Sequence, residues 1–133
     1  MTGLDATGIR LRNGFMAIQN LFLQSKNFYT FEAGQIIFER GDPSDFMYGI
    51  IQGEVEIRVG DEVVETISSG TVFGEMALID DEPRSATAVA ASECRVAQIN
   101  APTFHEMIAL HPDFALDVMK IMARRARRQL DKR

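Results

Sequence analysis

The spacing of apolar residues changes twice along the chain, and each change marks a new kind of element. From Ile9 to Leu23, the residues Ile9, Leu11, Phe15, Met16, Ile18, Leu21, Phe22 and Leu23 recur at roughly helical spacing, with Gly14 a weak point. From about Tyr29 to Ile99 the pattern breaks into short β-rich runs between glycines: QIIFERGD, MYGIIQGEVEIRV, EVVETISSG, ATAVAAS and CRVAQIN. Within them Glu54 to Val59 alternates polar and apolar, and Gly60-Asp61-Glu62 turns the chain back into Val63 to Ile67, which predicts a hairpin with one buried face. The helical period returns at Pro102. Asn100 or Thr103 can cap a short helix ending near His111, and Pro112 suits the first position of a second helix reaching about Leu130.

The expected architecture is mainly β: a β-roll of the double-stranded β-helix, jelly-roll-like kind, flanked by an N-terminal helix and two C-terminal helices. A single domain would fill 1–133, with a helical segment over 1–28, the roll over 29–100 and the helices over 101–133. At 133 residues and 46% hydrophobic, the chain suffices for one core. A formal net charge of −5 speaks against a surface built broadly for nucleic acid or anionic membrane. Cys94 has no cysteine partner, and the N-terminal MTGLDATGIRLRNG lacks a signal-peptide core, so a cytoplasmic protein is expected. No apolar stretch approaches the roughly 20 residues of a membrane helix. No helix-turn-helix module is expected after Arg133, and direct DNA reading by this chain is not expected.

The chemistry concentrates in FGEMALIDDEPRSATA, residues 73–88. Gly74-Glu75 followed by Met76-Ala77-Leu78-Ile79 can form one helical turn with unpaired N–H groups at its start, and such an end attracts an anion. Arg84 supplies planar donors that fit two phosphate oxygens at once, and Gly74 allows close backbone approach. Glu75 would repel a phosphate, but makes sense as the acceptor for a sugar hydroxyl. One arginine with no magnesium-binding carboxylate cluster suits a singly charged diester. The bland alternative is a surface Glu75–Arg84 ion pair, worth about 0 to 1 kcal/mol and binding nothing.

The stretch FGEMALIDDEPRSATAVA resembles, without gaps, the phosphate-binding cassette of cyclic-nucleotide-binding domains, as in catabolite activator proteins, kinase regulatory subunits and cyclic-nucleotide-gated channels. AGQIIFERGDPSDFMYGIIQGEVEI, with Gly34, Gly41 and Gly53 at its turns, is similar to that family's first strands, and PTFHEMIALHPDFALDVMKIMARRAR to its C-terminal helices. The resemblance implies that Arg84 binds the exocyclic phosphate oxygens, that Glu75 accepts the ribose 2′-hydroxyl, and that Gly74, Met76, Ala77, Ser85 and Ala86 line the site largely through backbone groups. Serine at position 85 makes cAMP the first expectation and cGMP the second. Phe73, Val55 and Val64 are candidates for the wall against the base. One residue of the last helix would cap the base, with Arg125, Arg128, Gln129 and Leu130 the candidates. The implied role is a regulatory sensor acting on an unknown protein effector, in which the helix from Pro112 to Leu130 closes over the pocket.

Other features fit plainer roles. The basic tail KIMARRARRQLDKR suits a helix C-terminus and a solvated face. Leu116, Met119, Ala123, Ala126 and Leu130 form a heptad seam that would either pair two subunits weakly or pack on the roll and the N-terminal helix. His105 and His111 do not share a helix face, so no metal is expected, and no cofactor beyond the nucleotide ligand. Cys94 reads as a buried structural thiol, and Asp80, Asp81 and Glu82 as a solvated turn. No nucleophile-and-base pair is visible, so an enzyme is not expected. Two other classes stay open: a nucleotide-independent interaction or oligomerisation domain of the same fold, and a cupin-type enzyme, which would need strand histidines that this chain lacks.

Overall fold

The computed structural model describes residues 27–131, so the helix expected over 9–23 lies outside the described residues. Eight strands follow in order: β1 (Phe28–Phe31), β2 (Ile36–Phe38), β3 (Met47–Gln52), β4 (Glu54–Val59), β5 (Glu62–Ser68), β6 (Val72–Phe73), β7 (Thr87–Ala90) and β8 (Cys94–Ile99). A short 3₁₀ turn, Glu75–Leu78, lies between β6 and β7, and helices α1 (Ala101–Leu110) and α2 (Asp113–Asp131) close the described chain. The strands form two four-stranded antiparallel sheets, ordered β1-β8-β3-β6 and β2-β7-β4-β5. The run MYGIIQGEVEIRV divides at Gly53, sending β3 to one sheet and β4 to the other.

Side-chain alternation explains where each sheet buries its residues. Tyr48 and Ile50 of β3, with Cys94 and Val96 of β8, face the roll interior and meet Val55, Ile67, Phe73, Ala88 and Ala90. Met47 and Ile51 of β3, with Ala97 and Ile99 of β8, face the other way and pack with Met107 of α1 and with Phe114 and Val118 of α2. Strand β3 is therefore covered on both faces from Met47 to Ile51, and this is why polar residues do not alternate there. The predicted hairpin is present as β4 and β5, turning at Gly60 with φ 61°.

Asn100, not Thr103, caps α1: its Oδ1 accepts a hydrogen bond from the Thr103 N–H at 2.9 Å, with Pro102 in the first turn. Helix α2 begins at Asp113, one residue past Pro112. Its packed face is Phe114, Val118, Ile121 and Met122. The heptad seam points elsewhere, with Leu116, Met119 and Leu130 exposed by 48%, 58% and 64% and both alanines exposed, so it does not pack on the roll. Among the described residues no helix is long and apolar enough to cross a membrane, and no group of three or more His, Cys, Asp or Glu converges as metal ligands.

Candidate functional site

Between the 3₁₀ turn, the loop leading into β7, and the β4–β5 face lies a cleft of about 390 Å³. That is within the usual range for small-molecule sites, roughly 300–1,000 Å³. Seven residues singled out from the cassette line it: Phe73, Gly74, Glu75, Met76, Arg84, Ser85 and Ala86. Arg125 reaches it from α2. The chain thus gathers residues from β2 and the loop after it, β4, β5, the cassette and α2 around one opening.

Arg84 is the only buried charged residue among those described, with 7% exposure. Its Nη1 donates to the Gly74 carbonyl at 3.1 Å and its Nη2 to the Phe46 carbonyl, while Nε is buried without a hydrogen-bond partner. The guanidinium carbon lies 4.1 Å from the centroid of the Phe38 ring and 5.8 Å from that of Tyr48. Tyr48 and Phe73 stack behind it with centroids 5.1 Å apart. Burial against this aromatic floor lowers the pKa of Arg84, while Tyr48 and the carboxylates of Asp45, Glu75 and Asp42 pull the other way. An arginine keeps its proton at neutral pH even so. Among the described residues it forms no carboxylate ion pair. A buried cation left in that condition is costly unless an anion completes it.

The backbone holds Arg84 in register. Its N–H donates to the Asp42 carbonyl at 2.9 Å and its carbonyl accepts from the Gly41 N–H at 2.8 Å, pinning the cassette to the turn after β2. Gly74 has φ 70°, and a Cβ built there would lie 2.7 Å from Arg84 Nη1. Glycine is thus required twice over, for the left-handed backbone and for the approach of the guanidinium. The turn after it is a single 3₁₀ turn without a side-chain cap, so its dipole is small and Arg84 supplies the positive charge of the site.

Glu75 does not pair with Arg84, so the simple surface ion pair is set aside. Its Oε1 accepts instead from Arg125 Nη1. Arg125 also donates through Nε to Glu65 Oε2 at 3.1 Å and through Nη2 to the Val72 carbonyl. All three side chains are largely enclosed, with 17% exposure for Arg125 and 12% for each glutamate. Arg128 adds a bond from Nη2 to Glu65 at 2.9 Å but is itself 60% exposed and outside the cleft lining.

Some expected residues sit elsewhere. Val55 is buried in the roll interior and does not line the cleft. Val64 is also off the cleft, because alternation sets it opposite to Glu65 and Ile67; it lies at a register shift where Ile57 pairs with Glu65 and Arg58 with Val63. The apolar wall is formed by Phe38, Ile57, Ile67 and Phe73. Ala77 spends its N–H on the Gly74 carbonyl at 3.2 Å and stays off the lining, as do Gln129 and Leu130, both exposed at the end of α2. Asp80 and Glu82, expected as a plain solvated turn, both line the cleft. Alternation in β4 and β5 was the signal that could have identified Ile57, Glu65 and Ile67.

The model of the cyclic nucleotide-binding domain family matches residues 29–111. This chain belongs to that family. A cAMP-dependent protein kinase regulatory subunit of Candida albicans is 35% identical over 118 residues, covering 81% of this chain and 25% of its own. A cyclic nucleotide-gated potassium channel of Rhizobium etli is 38% identical over 88 residues, covering 66% of this chain and 24% of its own. The crystal structure of a cyclic nucleotide-binding domain from Methylobacillus flagellatus superposes with a TM-score of 0.70 at 21% identity, covering 89% of this chain and 81% of that one, which shows the shared β-roll fold. The cyclic nucleotide-binding domain described here spans about a quarter of the length of these two curated relatives.

Proposed function

We propose that this domain is a regulatory sensor of a cyclic nucleotide, with cAMP the first expectation and cGMP the second. The observation that carries the reading is the buried Arg84 guanidinium at the cleft, ion-paired to no carboxylate among the described residues and holding an unpartnered Nε. Of its five N–H donors, two are taken by the Gly74 and Phe46 carbonyls. Of the rest, the second hydrogens of Nη1 and Nη2 are the donors proposed for the exocyclic oxygens of a phosphodiester, while Nε is buried. Glu75, with several lone-pair positions, can keep Arg125 and still accept a ribose 2′-hydroxyl. The base would lie on the wall of Phe38, Ile57, Ile67 and Phe73, with Ser85 beside the phosphate and favouring the cAMP reading.

The names of the Candida subunit and the Rhizobium channel support a cyclic nucleotide as ligand and regulation as the output. Binding rather than turnover is the role inferred, with no direct contact to nucleic acid. The output passes to a protein effector through α2, whose exposed seam of Leu116, Met119, Ala123, Ala126 and Leu130 would serve a monomer or a weak homodimer. The site is inferred to lie within one unit formed by the roll and the C-terminal helices.

A thermal melt with cAMP, cGMP and 5′-AMP tests the proposal. At about 100 times its dissociation constant the true ligand stabilises the fold by roughly 2.7 kcal/mol, or about 10 °C in a domain of this size. A large shift with one cyclic nucleotide and little with 5′-AMP is expected. No shift with any of them would replace the sensor with a nucleotide-independent interaction domain.

A further inference from the structure

Helix α2 carries a second apolar face that the roll does not use. At about 100° per residue, the exposed Leu116, Met119, Ala123, Ala126 and Leu130 centre roughly 135° around the helix from the packed Phe114, Val118, Ile121 and Met122. One flank of this seam is charged at a seven-residue interval by Asp113, Lys120 and Arg127, all exposed and none in an ion pair among the described residues. The other flank, Ala115, Met122 and Gln129, carries no charge. Bulk is sorted along the seam as well, with Leu116 and Met119 ahead of Ala123 and Ala126.

Resting on the reading of α2 as the output surface, but on no ligand, we propose that a second copy of this chain docks on the seam with its α2 antiparallel. Bulk and charge select the same direction. When the two helices cross at the level of Ile121, Leu116 of one copy meets Ala126 of the other and Met119 meets Ala123, so all four layers set a large side chain against a small one. A parallel pair sets each residue against its own copy and leaves the Ala123 and Ala126 layers thin. Antiparallel helices also bring like flanks together, so Asp113 of each copy faces Arg127 of the other. Lys120 alone meets its like, near the axis, and its stem is long enough to carry the ammonium group into water. In a parallel pair the charged flank runs along the uncharged one, and the two Asp113–Arg127 contacts are lost. The pairing is two-fold and closed. It lays the last turns of each α2, held to their own roll by Arg125 and Arg128, on the first turns of the other, which Phe114 and Val118 anchor.

Sedimentation of the full chain at low salt, from about 10 to about 500 µM, should show a reversible dimer. Asp113→Lys or Arg127→Glu should each weaken it about fivefold, and an equimolar mixture of the two variants should restore it, because each new charge then faces its opposite. Direction is read by disulfide trapping: Leu116→Cys and Ala126→Cys chains should cross-link when mixed and not when each is alone, the native Cys94 being buried. All four substitutions are at exposed positions, and circular dichroism checks that each variant is folded. Cross-linking of either chain alone shows a parallel pair and overturns the proposal. A chain that stays monomeric at the highest concentration overturns the pairing altogether. No arm contains a nucleotide, so either failure leaves the ligand reading standing, and a failed nucleotide titration leaves the pairing standing.

Discussion

Arg84→Met separates the energetics of the ligand from those of the fold. Methionine keeps an unbranched stem against Phe38, where the guanidinium carbon now lies 4.1 Å from the ring centroid, and removes every N–H. The ligand-free protein loses two bonds, from Nη1 to the Gly74 carbonyl and from Nη2 to the Phe46 carbonyl. It also no longer buries a cation without an ion-pair partner. The two effects oppose each other, each about 1.5–3 kcal/mol, so the melting temperature of the free variant should stay within a few degrees of wild type. Binding has no such compensation. Losing charge-assisted bonds to two phosphate oxygens costs at least about 3 kcal/mol, a roughly 150-fold weaker dissociation constant. At a cAMP concentration that shifts the wild type by about 10 °C, the variant should move by about 1 °C. A variant that is folded by circular dichroism and keeps the wild-type shift would refute the assignment of the phosphate to Arg84.

Gly74→Ala places a Cβ 2.7 Å from Arg84 Nη1 at φ 70°, and should cost about 1–2 kcal/mol of stability while weakening cAMP binding; a melt and a titration read the two effects separately. Arg125→Leu removes the bonds to Glu65, Glu75 and the Val72 carbonyl, and should abolish amide protection in the last turns of α2 while leaving the strands protected, as read by hydrogen exchange. Burial raises the pKa of the Cys94 thiol, so native protein at pH about 8 should resist thiol reagents that label it at once after unfolding. Because this folded value is raised, the associated stability is fully present below the unfolded thiol value of about 8.5 and is lost as the pH rises toward the folded one; a Cys94→Ala variant should lack that alkaline component in pH-dependent melts.

The strands and both described helices were legible because their signals are local. Period-two alternation in Glu54 to Val59, the turn at Gly60, the Asn100 cap and the prolines at 102 and 112 all act within a few residues. The cassette was legible for the same reason, since Gly74, Glu75 and Arg84 lie within one short stretch. What failed to show were facts of register and of long-range pairing. Alternation separates Glu65 and Ile67 from Val64, but which of the two faces of β5 meets the cassette is decided by tertiary placement. Arg125 meets Glu65 across 60 positions of sequence and Glu75 across 50, and nothing local separates it from Arg128, which could not be ranked against it. The wall residue Phe38 is brought to Arg84 by the pairing of β2 with β7 and by the backbone bonds between Arg84 and the turn after β2.

Arg125 also determines how a ligand could be felt outside the cleft. Helix α2 is fastened to the sheet by Phe114 and Val118, each fully buried side chain contributing about 1.5–3 kcal/mol, and by the partly buried Ile121 and Met122. Past Met122 every described residue is exposed except Arg125. The last two turns are therefore docked by polar contacts, those of Arg125 and the exposed Arg128 bond to Glu65, and the partners of Arg125 include Glu75, the proposed ribose acceptor. A ligand shifts a conformational equilibrium only by its difference in affinity between the two states. Here that difference has a specific location. If the ribose hydroxyl shares Glu75 with Arg125, binding reinforces the docked end of α2, and if it displaces Arg125, binding frees it while Glu65 retains the Nε bond. On the proposed assignment, Arg84 sets in both cases how tightly the nucleotide binds, and the Glu75–Arg125 contact sets how much of that binding energy reaches the helix.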